Sequence, residues 1–202
     1  MGDFLLDFRR RNRRREQAES LRFFPDMAMD RISRDSFTLF VTRTGRDQLW
    51  APFESRDGIV IALVGRVALG KSEWEDGSRV EGSGGLACKA IYHAYRARGI
   101  EGLTGLSGGF AIHVYDPRQE IYHLVNDRGG AFPCYGAIAS DEVICSHPDL
   151  LAEFIGGGRR FVGVHSGCLG PHFHGPVYFD WRSLISVFVL PTGRGPRFRL
   201  RA

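Results

Sequence analysis

Residues 94–137 read AYRARGIEGLTGLSGGFAIHVYDPRQEIYHLVNDRGGAFPCYGA, and the reading of the fold turns on this stretch. It opens inside a helix. Leu86, Ala90, Ile91, Ala94 and Tyr95 fall on one helical face, which predicts a helix over Leu86–Arg98, with Gly99 able to take the left-handed backbone of a C-cap. Leu103 and Leu106 fit one further turn. Phe110–Asp116 and Ile121–Asn126 are then rich in β-branched and aromatic residues, and Pro117-Arg118-Gln119-Glu120 lies between them, so the pair reads as a β-hairpin. On this reading His113 and His123, one on each arm, face each other as a structural pair. Ala131–Ile138 and Glu142–Ser146 fit two more short strands.

Upstream, Ile59–Val64 is apolar at each position, the pattern of a strand covered on both faces. Asp57-Gly58 signals a turn before it. Ser36–Thr42 predicts a strand, and Gln48–Phe53 a second one returning. Glu75–Gly85 is polar and Gly-rich and reads as a loop. Met1–Phe8 suits a short strand. Arg9–Glu19 has helix formers without an apolar stripe, hence an exposed helix or a mobile arm. The stretch from Pro25 to Asp35 is mixed. Downstream, Pro148–Phe154 resembles the first turns of a helix, and Leu184–Leu190 suits a helix or a strand. No internal repeat or boundary divides the chain. It reads as one domain: residues 1–35 form an N-terminal strand plus basic arm, and residues 36–202 the remainder.

The 202 residues suffice for one well-cored unit, and 43% hydrophobic with 25% charged residues is ordinary globular composition, which excludes a disordered chain. No apolar run approaches the roughly 20 residues of a spanning helix. Phe4-Leu5-Leu6 precedes the basic cluster, the reverse of a secretory signal, so the expected location is the cytoplasm. The net charge of +4 is local: without Arg9, Arg10, Arg11, Arg13, Arg14 and Arg15 the rest carries −2. This run suits an anionic partner, whether nucleic acid, a lipid surface or an acidic protein, or else a solvated arm. Cys88, Cys134, Cys145 and Cys168 show no C-x-x-C spacing and read as buried thiols. His172 and His174 could share a strand face as metal ligands, with His165 or Cys168 as a third, but they read as ordinary loop histidines. Gly82, Gly84 and Gly85 lack the Lys-Ser/Thr of a phosphate loop.

The central stretch resembles the class II glutamine amidotransferase domain of asparagine synthetases. That family carries G-M-F-A-F-A-x-Y-D, a hairpin turn, and R-D-R-x-G-x-K-P-L-Y-Y. The counterparts are Gly108-Gly109-Phe110-Ala111-Ile112-His113-Val114-Tyr115-Asp116 and Asn126-Asp127-Arg128-Gly129-Gly130-Ala131-Phe132-Pro133-Cys134-Tyr135. Weaker matches are Val64-Gly65-Arg66-Val67 to N-G-E-I, the Ser146–Ala152 region, and Leu190-Pro191-Thr192-Gly193 to a closing L-P-P-G. The resemblance covers roughly Phe37 to Leu200. It implies an α+β fold, a four-layer αββα sandwich of two antiparallel sheets between helices. Gly109, Phe110, Asp116, Asp127, Arg128, Gly130, Pro133 and Tyr135 are then residues of the shared structural motif.

The resemblance also implies a lost reaction. The family's nucleophile is a Cys exposed by removal of Met1, its own amine serving as base. Here Gly2 follows Met1. The Asn that donates to the oxyanion becomes Val64, although Gly65 remains. The Asp that holds the substrate's α-amino group becomes Ala87, with Lys89 reversing the charge nearby. The vestigial pocket therefore comprises Gly2, Val64, Gly65, Ala87 and Lys89, with no catalytic residue, metal or cofactor expected.

Three functions follow as expectations. The first is a non-catalytic scaffold or regulatory domain for an ATP-dependent, asparagine-synthetase-like ligase in the same or a separate chain. β-Lactam synthetases show this pattern, and no S-G-G-x-D pyrophosphate loop of a ligase domain occurs here. The second is a small-molecule or peptide binding module built on the vestigial pocket. The third is an amidohydrolase with a different nucleophile.

Overall fold

The computed structural model describes residues 2–8, 18–44, 48–127, 130–137, 140–147, 149–151, 161–164, 187–191 and 199–200. Its strands are β1 (Phe4–Asp7), β2 (Met27–Ser33), β3 (Thr38–Thr44), β4 (Phe53–Glu54), β5 (Val60–Ala68), β6 (Ser107–Asp116), β7 (Ile121–Asn126), β8 (Cys134–Ala137), β9 (Ser140–Cys145), β10 (Phe161–Val164), β11 (Val187–Pro191) and β12 (Arg199–Leu200). One antiparallel sheet runs β10-β8-β9-β1-β3-β2, the other β12-β11-β7-β6-β5-β4. Helices α1 (Lys71–Ser78) and α2 (Leu86–Arg98) lie beside the second of the two sheets, and residues 18–19 and 149–151 are helical beside the first. Two such sheets packed face to face, with helical layers outside, are the αββα sandwich expected from the sequence.

Alternation along the strands creates the layers. Phe4, Leu6, Leu39, Val41, Ala62, Val64, Ala111, Tyr122, Leu124 and Phe132 meet between the sheets. The opposite face of β5–β7, through Ile61, Leu63, Ile112, Val114 and Val125, meets Ala87, Cys88, Ile91 and Tyr95 of α2. On the far side of the first sheet, Leu5, Phe40, Val143 and Cys145 are covered by Ala18, Leu21, Leu150 and Leu151. The doubly covered β5 is what its uninterrupted apolar run predicts, and α2 begins and ends as its stripe and Gly99 predict.

Four expectations are corrected. β2 falls in the mixed stretch before Asp35. Among the described residues it is an edge strand, paired to β3, so it needs only a half-buried pattern. Gln48–Trp50 is a 3-10 turn rather than a strand, and only Phe53 and Glu54 pair with β5. Residues 71–78, part of them read as loop, are helical. α1 has no apolar stripe, but Trp74 packs edge-on to Trp50, so tertiary contact supplies what periodicity does not. His113 and His123 do not face each other. His113 lies opposite Leu124 and His123 opposite Val114, an offset of one residue that puts the two rings on opposite faces of the sheet. The Arg9–Arg15 run, Arg128, Cys168 and the 172–174 motif lie outside the described residues.

The hairpin end is locked by one carboxylate. Asp116, fully buried, accepts hydrogen bonds from Arg118 N, Nε and Nη2 (3.0, 3.3 and 3.3 Å), Gln119 Nε2 (3.1 Å) and Tyr95 Oη of α2 (3.3 Å). Burial alone would raise its pKa, but the bonds and charge of Arg118 hold it below the usual carboxylate range.

β5 and β6 approach closely at Gly65, whose φ is +89° and where a Cβ would lie 2.2 Å from the Gly109 carbonyl oxygen and 2.9 Å from Phe110 Cα. Gly65→Ala is expected to cost about 2 kcal/mol or more in urea unfolding. Gly105→Ala is the control: its φ is outside the left-handed region and nothing lies within 4 Å, so the change should stay within about 0.5 kcal/mol.

His113 is buried between the sheets, its Nδ1 2.8 Å from Tyr122 Oη and its Nε2 without a hydrogen-bond partner. Burial brings its pKa down to about 3 from 6.5, so the folded state keeps it neutral while the unfolded chain gains a proton below 6.5. Its contribution is therefore fully present above about pH 6.5 and is lost as pH falls toward 3. The double replacement His113→Phe with Tyr122→Phe is expected to flatten this acid limb, measured by urea midpoints across the range.

Candidate functional site

The position that would hold a nucleophile lies at the start of β1. Asp3 is tied to β3 on both sides of its peptide: Thr42 N donates to Asp3 O at 2.8 Å, and Asp3 N donates to Thr42 Oγ1 at 2.8 Å. These bonds draw Gly2 against the neighbouring strand. A Cβ on Gly2 would stand 1.9 Å from the Thr42 carbonyl oxygen. The residue is glycine, and in this backbone nothing larger fits without movement of β3.

The expected oxyanion position is apolar. Val64 is 1% exposed and belongs to the core between the sheets. Gly65 follows, with the Phe132 ring against it: a Cβ there would be 3.0 Å from the ring edge. Phe132 stacks on Phe4 at 6.3 Å, and Phe4 meets the His113 ring at 4.5 Å. Ala87 is fully buried, but on the helix side of β5, so the sheet lies between it and Val64. Lys89, one turn into α2, is half-buried. Gly65 and Val64 are thus neighbours of the inter-sheet core, and Ala87 is not brought to them.

Phe132 is the residue that reading for lost catalysts overlooks. It stands where the family pattern x-K-P has Lys, so a signal existed. Its placement follows from the motif. Asp127, buried, accepts from Ala131 N (2.9 Å) and Phe132 N (2.8 Å) through its two carboxylate oxygens, while Asn126 Nδ2 donates to Phe132 O (2.9 Å). Gly130, at φ +61°, closes the turn by donating to Asp127 O. Asp127 N donates to Phe110 O, which ties the loop to β6 beside Gly109. Pro133 then carries the chain into β8, where Tyr135 pairs with Cys145 of β9 and packs on the outer cluster. These motif residues build a loop whose product is an aromatic ring inserted between the sheets.

A second polar group, unread in the sequence because its members lie more than 140 residues apart, sits on the outer face of β1. Asp3 Oδ1 is 2.8 Å from His147 Nε2 and accepts from Ser146 Oγ at 3.0 Å. Ser146 Oγ also accepts from Phe4 N at 3.0 Å. Serine, histidine and aspartate are all present, but the aspartate stands between the other two. The histidine therefore bonds the aspartate rather than the serine, and Ser146 is buried and held by backbone. This is a tie between the N-terminus and the end of β9.

The described cysteines offer no replacement nucleophile. Burial raises the Cys88 and Cys145 thiols to about 12 and Cys134 higher still, so none is a thiolate near neutrality. Among the described residues no group of three or more His, Cys, Asp or Glu is placed to hold a metal.

No protein-family model and no curated protein matches the chain. Among solved structures, one that matches is the glutamine phosphoribosylpyrophosphate (PRPP) amidotransferase from B. subtilis, solved with ADP and GMP. The TM-score is 0.61 at 11% identity, over 99% of this chain and 49% of that one. The fold is similar to that of a glutamine amidotransferase. The likeness is one of fold alone and does not single out the asparagine synthetase family. The chain spans about half the length of that amidotransferase. No helix among the described residues is long and apolar enough to cross a membrane.

Restoring the two missing residue types is expected to fail. Gly2→Cys should lower stability by about 2 kcal/mol or more through the contact with Thr42, and release no glutamate from glutamine. Val64→Asn should cost about 1–3 kcal/mol by burying an amide without partners. Urea unfolding and a glutamate assay check both.

Proposed function

We propose that this chain is a non-hydrolysing glutaminase-like domain that serves as scaffold or regulatory partner of an ATP-dependent, asparagine-synthetase-like ligase. The observation that carries the proposal is Gly2: it leaves no room for a side chain, so the place of the nucleophile is closed by the backbone itself. Val64 supports the reading, because the donor that would stabilise an oxyanion is replaced by core packing, with Phe132 in the same cluster. Asp116 and Asp127 meanwhile keep the hydrogen bonds that fix the hairpin and its following loop, so the fold is maintained. A folded domain without its own reaction contributes through its surface. The asparagine-synthetase-like motifs indicate the kind of protein it serves: one that activates a carboxylate with ATP and uses an amine other than glutamine-derived ammonia.

The purified protein is expected to release neither glutamate nor ammonia from glutamine, with or without ATP. Affinity capture from its native host is expected to recover an ATP-dependent ligase, unless ligase and domain share one polypeptide. Clear glutamine turnover, or capture with no ligase in either form, would overturn the proposal.

A further inference from the structure

Phe23 and Phe24 are 51% and 65% exposed and, with Leu49, are the exposed large hydrophobic residues among those described. The pair is held in place. Met27 N donates to Phe24 O at 3.1 Å, closing a turn through Pro25 and Asp26. The Phe23 ring rests 4.7 Å from the His147 ring, which Asp3 fixes from the other side. Beneath, Leu21 and Ala18 are fully buried against Leu5, Phe40 and Leu151. Two aromatic side chains are thus presented to solvent by an ordered platform, which lowers the entropy lost when they are buried.

Charge accumulates in the same excursion. Between β1 and β2, residues 8–26 contain seven arginines against Glu16, Glu19 and Asp26, a net +4 that equals the charge of the whole chain. Of these, Arg22 is paired with Glu19 at 3.2 Å. The other six follow directly after Phe8, so the run and the phenylalanine pair belong to the same connection between β1 and β2.

We propose that this excursion docks the protein on an anionic lipid surface, with Phe23 and Phe24 inserted at the headgroup boundary and the arginines held by the lipid phosphates. Aromatic residues settle at that boundary, and each cationic side chain near an anionic leaflet adds to the attraction. Binding strength rises with the apolar area buried and with attraction to anionic lipid together; here the apolar pair and the basic run supply the two. A nucleic acid is the less fitting occupant. The phenylalanines offer no hydrogen-bonding group to read a base. Phe23 already lies against His147, and seven residues separate the pair from the arginine run, so stacking and charge are not interleaved.

The test uses the full chain in co-sedimentation with phosphatidylcholine vesicles with and without phosphatidylglycerol, beside a single-stranded oligonucleotide measured in the same buffer. The wild type is expected to bind only the phosphatidylglycerol vesicles. Phe23→Ser with Phe24→Ser should weaken this at least about tenfold with an unchanged melting temperature. Arg13→Glu, Arg14→Glu and Arg15→Glu together should do the same. Phe24→Ser alone, at the more exposed position, keeps the comparison if the double variant fails to fold. The proposal is overturned if the wild type ignores phosphatidylglycerol, if the phenylalanine variants bind as the wild type does, or if the oligonucleotide is bound more tightly than the vesicles.

Discussion

The close approach of β5 and β6 at Gly65 governs much of this molecule. Only a residue without Cβ lets the Gly109 carbonyl lie where it does, and only then can the Phe132 ring close over the same spot. Phe132 in turn stacks on Phe4, so the first strand of one sheet is pinned to the second sheet through an aromatic contact. The loop that delivers Phe132 is fixed by Asp127, and the hairpin from which it leaves is fixed at its other end by Asp116. Two buried carboxylates, each saturated by donors, set the ends of β6 and β7. The apolar contact between the sheets then follows from strand alternation.

The sequence was legible where one periodicity held over a whole element. α2 declared itself through a stripe of five residues and a terminal glycine; β5 through an unbroken apolar run; the β6–β7 hairpin through two runs and a proline turn. It was illegible where neighbours decide. α1 carries Lys71-Ser72-Glu73-Trp74-Glu75-Asp76-Gly77-Ser78, polar but for one tryptophan, and is helical because Trp74 has Trp50 to pack on. β2 has a mixed pattern because an edge strand buries little. His113 and His123 were misplaced by one residue of register, which is enough to move a side chain through the sheet.

Of the candidate site, the missing nucleophile was plain from Gly2, since chemistry requires a side chain. That the position is also sterically closed was not, because Thr42 comes from a strand forty residues away. Val64 could be read as the loss of a donor. Its role as core was visible only with Phe132 and Phe4 in place. Ala87 was correctly found at the start of a helix, but no sequence pattern tells which side of a sheet that helix covers.

The edge position of β2 has a consequence for the protein at high concentration. An open strand edge invites a second copy to add its own. A two-fold axis normal to the sheet pairs residues of equal parity, so the one register that uses all seven residues of β2 would set Asp30 against Asp30 of the second copy. Within one molecule Asp30 is neutralised by Arg43 at 2.7 Å, and Arg31 lies over the Phe40 ring. The carboxylate that is accommodated internally thus opposes an identical strand in full register. Among the described residues the edge is open to a different strand, while full-length pairing with an identical one meets a like-charge pair at its centre.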